Sequence, residues 1–119
     1  MTERVLVVDD SSFQRTVVRD ALEGPFEVVG EAENGAEAVE LFEAYEPDAV
    51  SMDVVMPEMT GIEATAAIKE RWPDAVIVMC TSVDQQENMM EAVKAGADGY
   101  VTKPVDADEL VPEMQSHFE

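Results

Sequence analysis

The amino-acid sequence predicts an α/β protein, a doubly wound parallel sheet with helices on both faces. Two observations carry that prediction. Five short apolar runs of strand type alternate with five helix-patterned segments along the 119 residues, with no linker and no internal repeat, and strand-then-helix repetition at this spacing implies parallel pairing through right-handed crossovers. The first run, Val5-Leu6-Val7-Val8, is also continuously apolar and rich in β-branched residues, as in a strand buried on both faces.

Each element carries its own punctuation. Asp9 and Asp10 close the first run, and Ser11 with Gln14 three residues later is a capping-box pattern that starts a helix. Phe13, Val17, Ala21 and Leu22 give that helix one apolar face, and Gly24-Pro25 stops it. Phe26 to Ala32 is a second, less continuous strand ended by Glu33-Asn34-Gly35. The following helix turns Ala38, Leu41, Phe42 and Tyr45 inward and closes at Pro47. A third strand starts at Ala49 and delivers Asp53 at its carboxyl end, before Met56-Pro57-Glu58-Met59-Thr60-Gly61 breaks it. Thr60 and Glu63 form another capping box, for a helix that runs to Arg71 ahead of Trp72-Pro73. Ala75 to Cys80 is the fourth strand, the helix after it spans Gln85 to Ala95 and ends at Gly96, and Gly99-Tyr100-Val101-Thr102 is the fifth strand. Asp106 and Glu109 cap a last helix carrying Leu110, Val111, Met114 and Phe118, in which Pro112 predicts a kink or a late start.

The totals bound what such a fold could do. A length of 119 residues fits one domain, residues 1–119, and 46% apolar content fills a real core. No stretch approaches the length of a membrane span and the N-terminus lacks a signal-peptide pattern, so the expected location is the cytoplasm. The single cysteine, Cys80, fits a reducing compartment and reads as a buried, inert thiol at the end of an apolar run. The charge is the unusual number: 27 acids against three lysines and four arginines, net −20. That opposes binding to nucleic acid, whose phosphates need cationic partners. The acids are spread along the whole chain, and their repulsion is relieved at molar salt, where the screening length falls to about 3 Å. We read the composition as adaptation to a salt-rich cytoplasm of the haloarchaeal kind. The melting temperature should therefore climb steeply as KCl rises to molar levels; a flat thermal-denaturation series over that range would contradict this reading.

Four of the five strands deliver polar residues at their carboxyl ends: Asp9 and Asp10, Asp53, Thr81, and Lys103. In an open parallel sheet those ends share one edge, where ligands bind. Three carboxylates there repel one another unless a cation or a raised pKa relieves them. Lys103 offsets one charge. A hard divalent cation would offset more, and magnesium suits one or two carboxylates together with waters and a phosphate. A carboxylate beside a metal and a lysine is a plausible nucleophile toward phosphorus.

Leu6-Val7-Val8-Asp9-Asp10-Ser11, Met52-Asp53 with Met56-Pro57 and Met59-Thr60-Gly61, Thr81, and Gly99-Tyr100-Val101-Thr102-Lys103-Pro104 together resemble the two-component receiver domains, and among them the single-domain chemotaxis regulators. The resemblance covers essentially the whole chain. It implies a flavodoxin-like sheet of order 2-1-3-4-5 with five helices and no output domain. It implies that Asp53 accepts a phosphoryl group from a CheA-like histidine kinase, with Mg2+ (or Mn2+) as cofactor. Asp10 and Asp53 would bind the metal directly, Asp9 mainly through water, and Val55 through its backbone carbonyl. Lys103 would pair with the phosphoryl group, Thr81 would swing in to hydrogen-bond it, and Tyr100 would move inward as the readout. A cis bond between Lys103 and Pro104 would aim Lys103. Output would pass by binding, as a monomer, to a motor-side or adaptor protein through the face made by the fourth helix, fifth strand and fifth helix. The family points to taxis control of the motility motor, and the chain would be a phosphoacceptor that assists its own chemistry rather than a turnover enzyme.

Three positions depart from the family. Val55 and Val83 stand where polar side chains often occur two residues past the phosphoacceptor and two past the switch hydroxyl. Neither can position an attacking water, so hydrolysis is expected to need a separate phosphatase. Ser82 replaces a small residue, leaving a one-residue ambiguity that the spacing from Lys103 resolves towards Thr81. Met89 and Met90 are read as gap-filling core, His117 as a frayed terminal side chain, and Trp72 as helix-end packing. The alternatives are a phosphorelay intermediate, a phosphatase with an aspartyl nucleophile, and a flavin module of the same fold. Val55 stands where such phosphatases keep a second acid, and the first turn offers acids where a flavin phosphate needs glycines or hydroxyls.

Overall fold

In a computed structural model, which describes residues 2–82 and 88–119, strands and helices alternate as the sequence predicts. The strands are β1 (Arg4–Val8), β2 (Glu27–Ala32), β3 (Ala49–Asp53), β4 (Val76–Thr81) and β5 (Gly99–Thr102). The helices are α1 (Ser12–Leu22), α2 (Gly35–Tyr45), α3 (Gly61–Arg71), α4 (Met89–Ala95) and α5 (Ala107–Ser116). All strand pairs are parallel, in the order β2-β1-β3-β4-β5. The predicted start of α4 near Gln85 lies outside the described residues. No helix among the described residues is long and apolar enough to cross a membrane.

Alternation along the strands splits the core into two layers. Leu6, Val8, Val50, Met52, Ile77 and Met79 meet residues of α2, α3 and α4, among them Phe42 and Ile68. Val5, Val7, Ala49, Val76, Val78 and Cys80 meet Val18, Leu22, Leu110 and Met114 of α1 and α5. Each fully buried aliphatic side chain contributes about 1.5–3 kcal/mol of transfer free energy. Charge therefore enters β1 and β3 only at their ends, at Arg4 and Asp53.

Several local expectations shift. The buried stripe of α1 is Val18 and Leu22 with Val17 and Ala21 beside it, while Phe13, in the first turn, is 70% exposed. Tyr45 ends α2 half-exposed instead of inward, its ring lying over Gly30. Ser11 accepts from Gln14 N–H, but its own N–H goes to Asp9 Oδ1 at 2.9 Å, so the box at α1 is only half made. The box at α3 is complete, with Glu63 N–H on Thr60 Oγ1 and Thr60 N–H on Glu63 Oε1.

α5 starts directly at Ala107, so the late start does not occur; Asp106 caps it by accepting from Asp108 N–H, and Pro112 sits inside with an exposed ring. His117 is not frayed: its Nε2 lies 3.0 Å from Glu113 Oε2. Met90 is not core either, at 69% exposed. Trp72 packs 4.7 Å from Phe42 and carries the Arg71 guanidinium 4.4 Å from its ring, as helix-end packing requires. Cys80 is buried, and burial pushes its thiol up to about 11, so it stays unreactive.

Candidate functional site

The chain steps from β1 outward to β2 and returns to β3 on β1's other side, so the strand order reverses between β1 and β3. Such a reversal opens a crevice outside the carboxyl ends of the two strands. Asp9 and Asp10 follow β1 and Asp53 ends β3, and carboxylate oxygens of all three lie within 4.8 Å of one another.

Local structure holds Asp53 and Asp9. After Asp53 the chain turns tightly through Glu58, which adopts φ 67°, and Gly61 N–H returns to the Val54 carbonyl at 2.9 Å. Any Cβ at Gly61 would fall on the Asp53 carbonyl, so the start of α3 can press against the acid's backbone only as glycine. Asp9 is anchored at four atoms, its N–H donating to the Ala32 carbonyl at 3.1 Å. Its Oδ1 accepts from Ser11 N–H, its Oδ2 lies 3.2 Å from Lys103 Nζ, and its carbonyl accepts from Arg15 Nη1 at 2.7 Å. Lys103 is fixed by its own N–H on the Thr81 carbonyl at 2.7 Å, by a cis bond to Pro104, and by Nζ 2.9 Å from Asp53 Oδ1.

Asp53 is 3% exposed. Burial pushes its carboxyl up to about 6; the Lys103 hydrogen bond pulls it back, and the charges of Asp9 and Asp10 push it up again. Burial also opposes the charge of Lys103, yet the hydrogen bond and Coulomb attraction of Asp53, helped by Asp9, hold its ammonium above the usual range. One ammonium therefore faces three carboxylates. The three oxygen donors and the surplus negative charge fit a small, hard cation such as Mg2+, and among the described residues neither thiol nor imidazole joins them.

The structure thus brings Asp9, Asp10, Asp53 and Lys103 into one cluster. Thr81 is fully buried one residue past Cys80, the β4 partner of Asp53, and its hydroxyl donates to the Ser82 carbonyl at 3.2 Å. The Val55 side chain is 48% exposed two residues beyond Asp53. Val83 lies outside the described residues. Tyr100 points outward at 51% exposure and lines a shallow cavity of about 240 Å³ with Met89, Met90 and Val93. The sequence reading missed Arg15 and the second duty of Gly61. A glycine directly after a capping threonine was the available signal for Gly61; Arg15 shows only as a basic residue near the start of a helix.

A family model described as "Response regulator receiver domain" matches residues 5–115. The chain is 59% identical over 104 residues to the "Chemotaxis protein CheY" of Halobacterium salinarum, covering 87% of each, which agrees with the salt adaptation read from its charge. It is 46% identical over 112 residues to the "Chemotaxis protein CheY" of Bacillus subtilis, covering 93% of each. Among solved structures it matches a chain of the CheX-CheY-BeF3-Mg+2 complex from Borrelia burgdorferi with a TM-score of 0.91 at 27% identity, over 98% of this chain and 90% of that one.

Proposed function

This chain belongs to the response regulator receiver domain family, and from that premise we propose that it is a phosphorylation-driven switch in which Asp53 accepts a phosphoryl group from a histidine kinase. The single observation that carries the proposal is the cluster itself: three carboxylates and one ammonium at the switch point of the sheet. An Asp53 carboxylate oxygen forms the new bond to phosphorus while the bond from phosphorus to the donor histidine nitrogen breaks, and the electron pair leaves with the imidazole. Lys103 already holds Asp53 Oδ1 and needs little movement to reach a phosphoryl oxygen. Asp10, Asp53 and the Val55 carbonyl would hold Mg2+, with Asp9 bound through water; the metal would supply neutralising charge for the transferring oxygens.

The new phosphoryl oxygens are acceptors that Thr81 can reach only by leaving the Ser82 carbonyl. That exchange biases two pre-existing states, and Tyr100, exposed beside Met90 and Val93, reports it at the surface. We assign the signal to a motor-side or adaptor protein docking on α4, β5 and α5, with a CheA-like kinase as donor. The relatives named as chemotaxis proteins support that assignment. Acetyl phosphate with Mg2+ should add one phosphoryl group to the chain, read by intact mass; a phosphatase would release phosphate without retaining it. The exposed, apolar Val55 should leave hydrolysis slow. Val55→Asn, which can orient a water, should speed phosphate loss up to about tenfold in a time course, and an unchanged rate would contradict this role.

A further inference from the structure

α1 is the one helix among the described residues whose first turn holds no acid, whereas the other four carry Glu37, Glu63, Glu91, and Asp108 with Glu109. In a chain of 27 acids that is a departure, since the positive end of a helix favours carboxylates. A cation, Arg15, stands near that start instead, against the dipole. Its side chain is 15% exposed, with Nη1 donating to the Asp9 carbonyl at 2.7 Å and Nε to Glu31 Oε1 at 3.1 Å. Glu31 is held in turn by Arg19 at 2.6 Å. The guanidinium fork is therefore clamped between β2 and the first acid of the site.

The carbonyl it holds belongs to the peptide plane that joins Asp9 to Asp10. Peptide planes are rigid, so fixing this oxygen sets the direction from which the exposed Asp10 projects. We propose that Arg15 is a positioning residue for cation binding by Asp9, Asp10 and Asp53, acting through the Asp9 carbonyl and braced by Glu31. The inference rests on the functional reading only in taking this cluster as the metal site. Coulomb's law alone gives the opposite sign, because deleting a nearby positive charge should tighten binding of a cation.

Calorimetric Mg2+ titration in molar KCl separates the two. Arg15→Gln should weaken Mg2+ affinity about tenfold, the range seen when partners that orient metal ligands are lost. Arg15→Lys, which keeps the charge and loses the fork, should weaken it similarly. Glu31→Gln, which leaves Arg15 in place and loosens its brace, should weaken it by a smaller factor, and it decides the matter if Arg15→Gln does not fold. Unchanged or tighter binding in the folded variants, or full recovery with lysine, would overturn the proposal. A wild-type chain that binds no Mg2+ would overturn both this proposal and the functional reading. A wild-type chain that binds Mg2+ but takes no phosphoryl group, with the variants weakened as stated, would sink the functional reading and support the role of Arg15.

Discussion

Lys103→Met is expected to slow phosphorylation by acetyl phosphate about a hundredfold, the usual loss when one preorganised donor to a developing anion is removed. It should also cost about 2–4 kcal/mol of stability near pH 7, because the buried Asp9 and Asp53 carboxylates lose the ammonium that now sits 3.2 and 2.9 Å away. The sign of the pH dependence is fixed by Asp53. Its folded pKa, about 6, lies above the ordinary value of 3.8, so the folded state binds protons more tightly than the unfolded chain. Its charge is thus a destabilising load at neutral pH, relieved as pH falls through about 6 towards 4. Without the Lys103 hydrogen bond the folded pKa rises further and the load grows. Urea denaturation of both proteins at fixed molar KCl should show the stability gap narrowing as pH falls from 7 to 4.5. The lysine's own contribution is constant across this range, because its raised pKa lets it fade only in strong alkali. A gap that widens on acidification would contradict the electrostatic account.

Gly61→Ala should be among the most damaging single-methyl insertions in the molecule, at about 3 kcal/mol. The added carbon would land on the backbone carbonyl of Asp53, and backbone yields only if β3 or α3 moves. Gly30→Ala is the natural comparison. There the nearest atom, 3.1 Å away, belongs to the half-exposed Tyr45 ring, which can shift, so the cost should stay under about 1 kcal/mol. Chemical denaturation of both variants measures the difference. Because the clash falls on the proposed phosphoacceptor, Gly61→Ala should also depress Asp53 labelling in whatever fraction folds. Equal stability of the two variants would mean the Gly61 contact is not tight.

The parts legible in sequence were those that a parallel sheet enforces by topology. Once Val5 to Val8, Ala49 to Met52, Ala75 to Cys80 and Gly99 to Thr102 are parallel strands of one sheet, Asp9, Asp10, Asp53, Thr81 and Lys103 must share an edge. The order of the strands came only from the resemblance, because periodicity does not number neighbours. Rotations about helix axes were harder. Phe13 and Tyr45 obey the apolar spacing of α1 and α2, but they lie in the first turn of one and the last of the other and stay exposed, while Val18, which the spacing did not single out, joins the core and Phe42 is buried as expected. The contact of the Arg15 side chain with the Asp9 backbone carbonyl leaves no mark in composition or period. The side-chain pair His117 and Glu113, one helical turn apart above Gly99, has helical spacing, but its closeness to the chain end favoured a solvated reading.

Asp53 is the centre of the account, and one measurement addresses it directly. Wild-type chain and Asp53→Asn, both confirmed folded in molar KCl, are incubated with acetyl phosphate and Mg2+ and read by intact mass before hydrolysis proceeds. The wild type should gain one phosphoryl group, lose that gain when the metal is chelated beforehand, and Asp53→Asn should gain none. Equal labelling of Asp53→Asn would contradict the assignment of the phosphoacceptor.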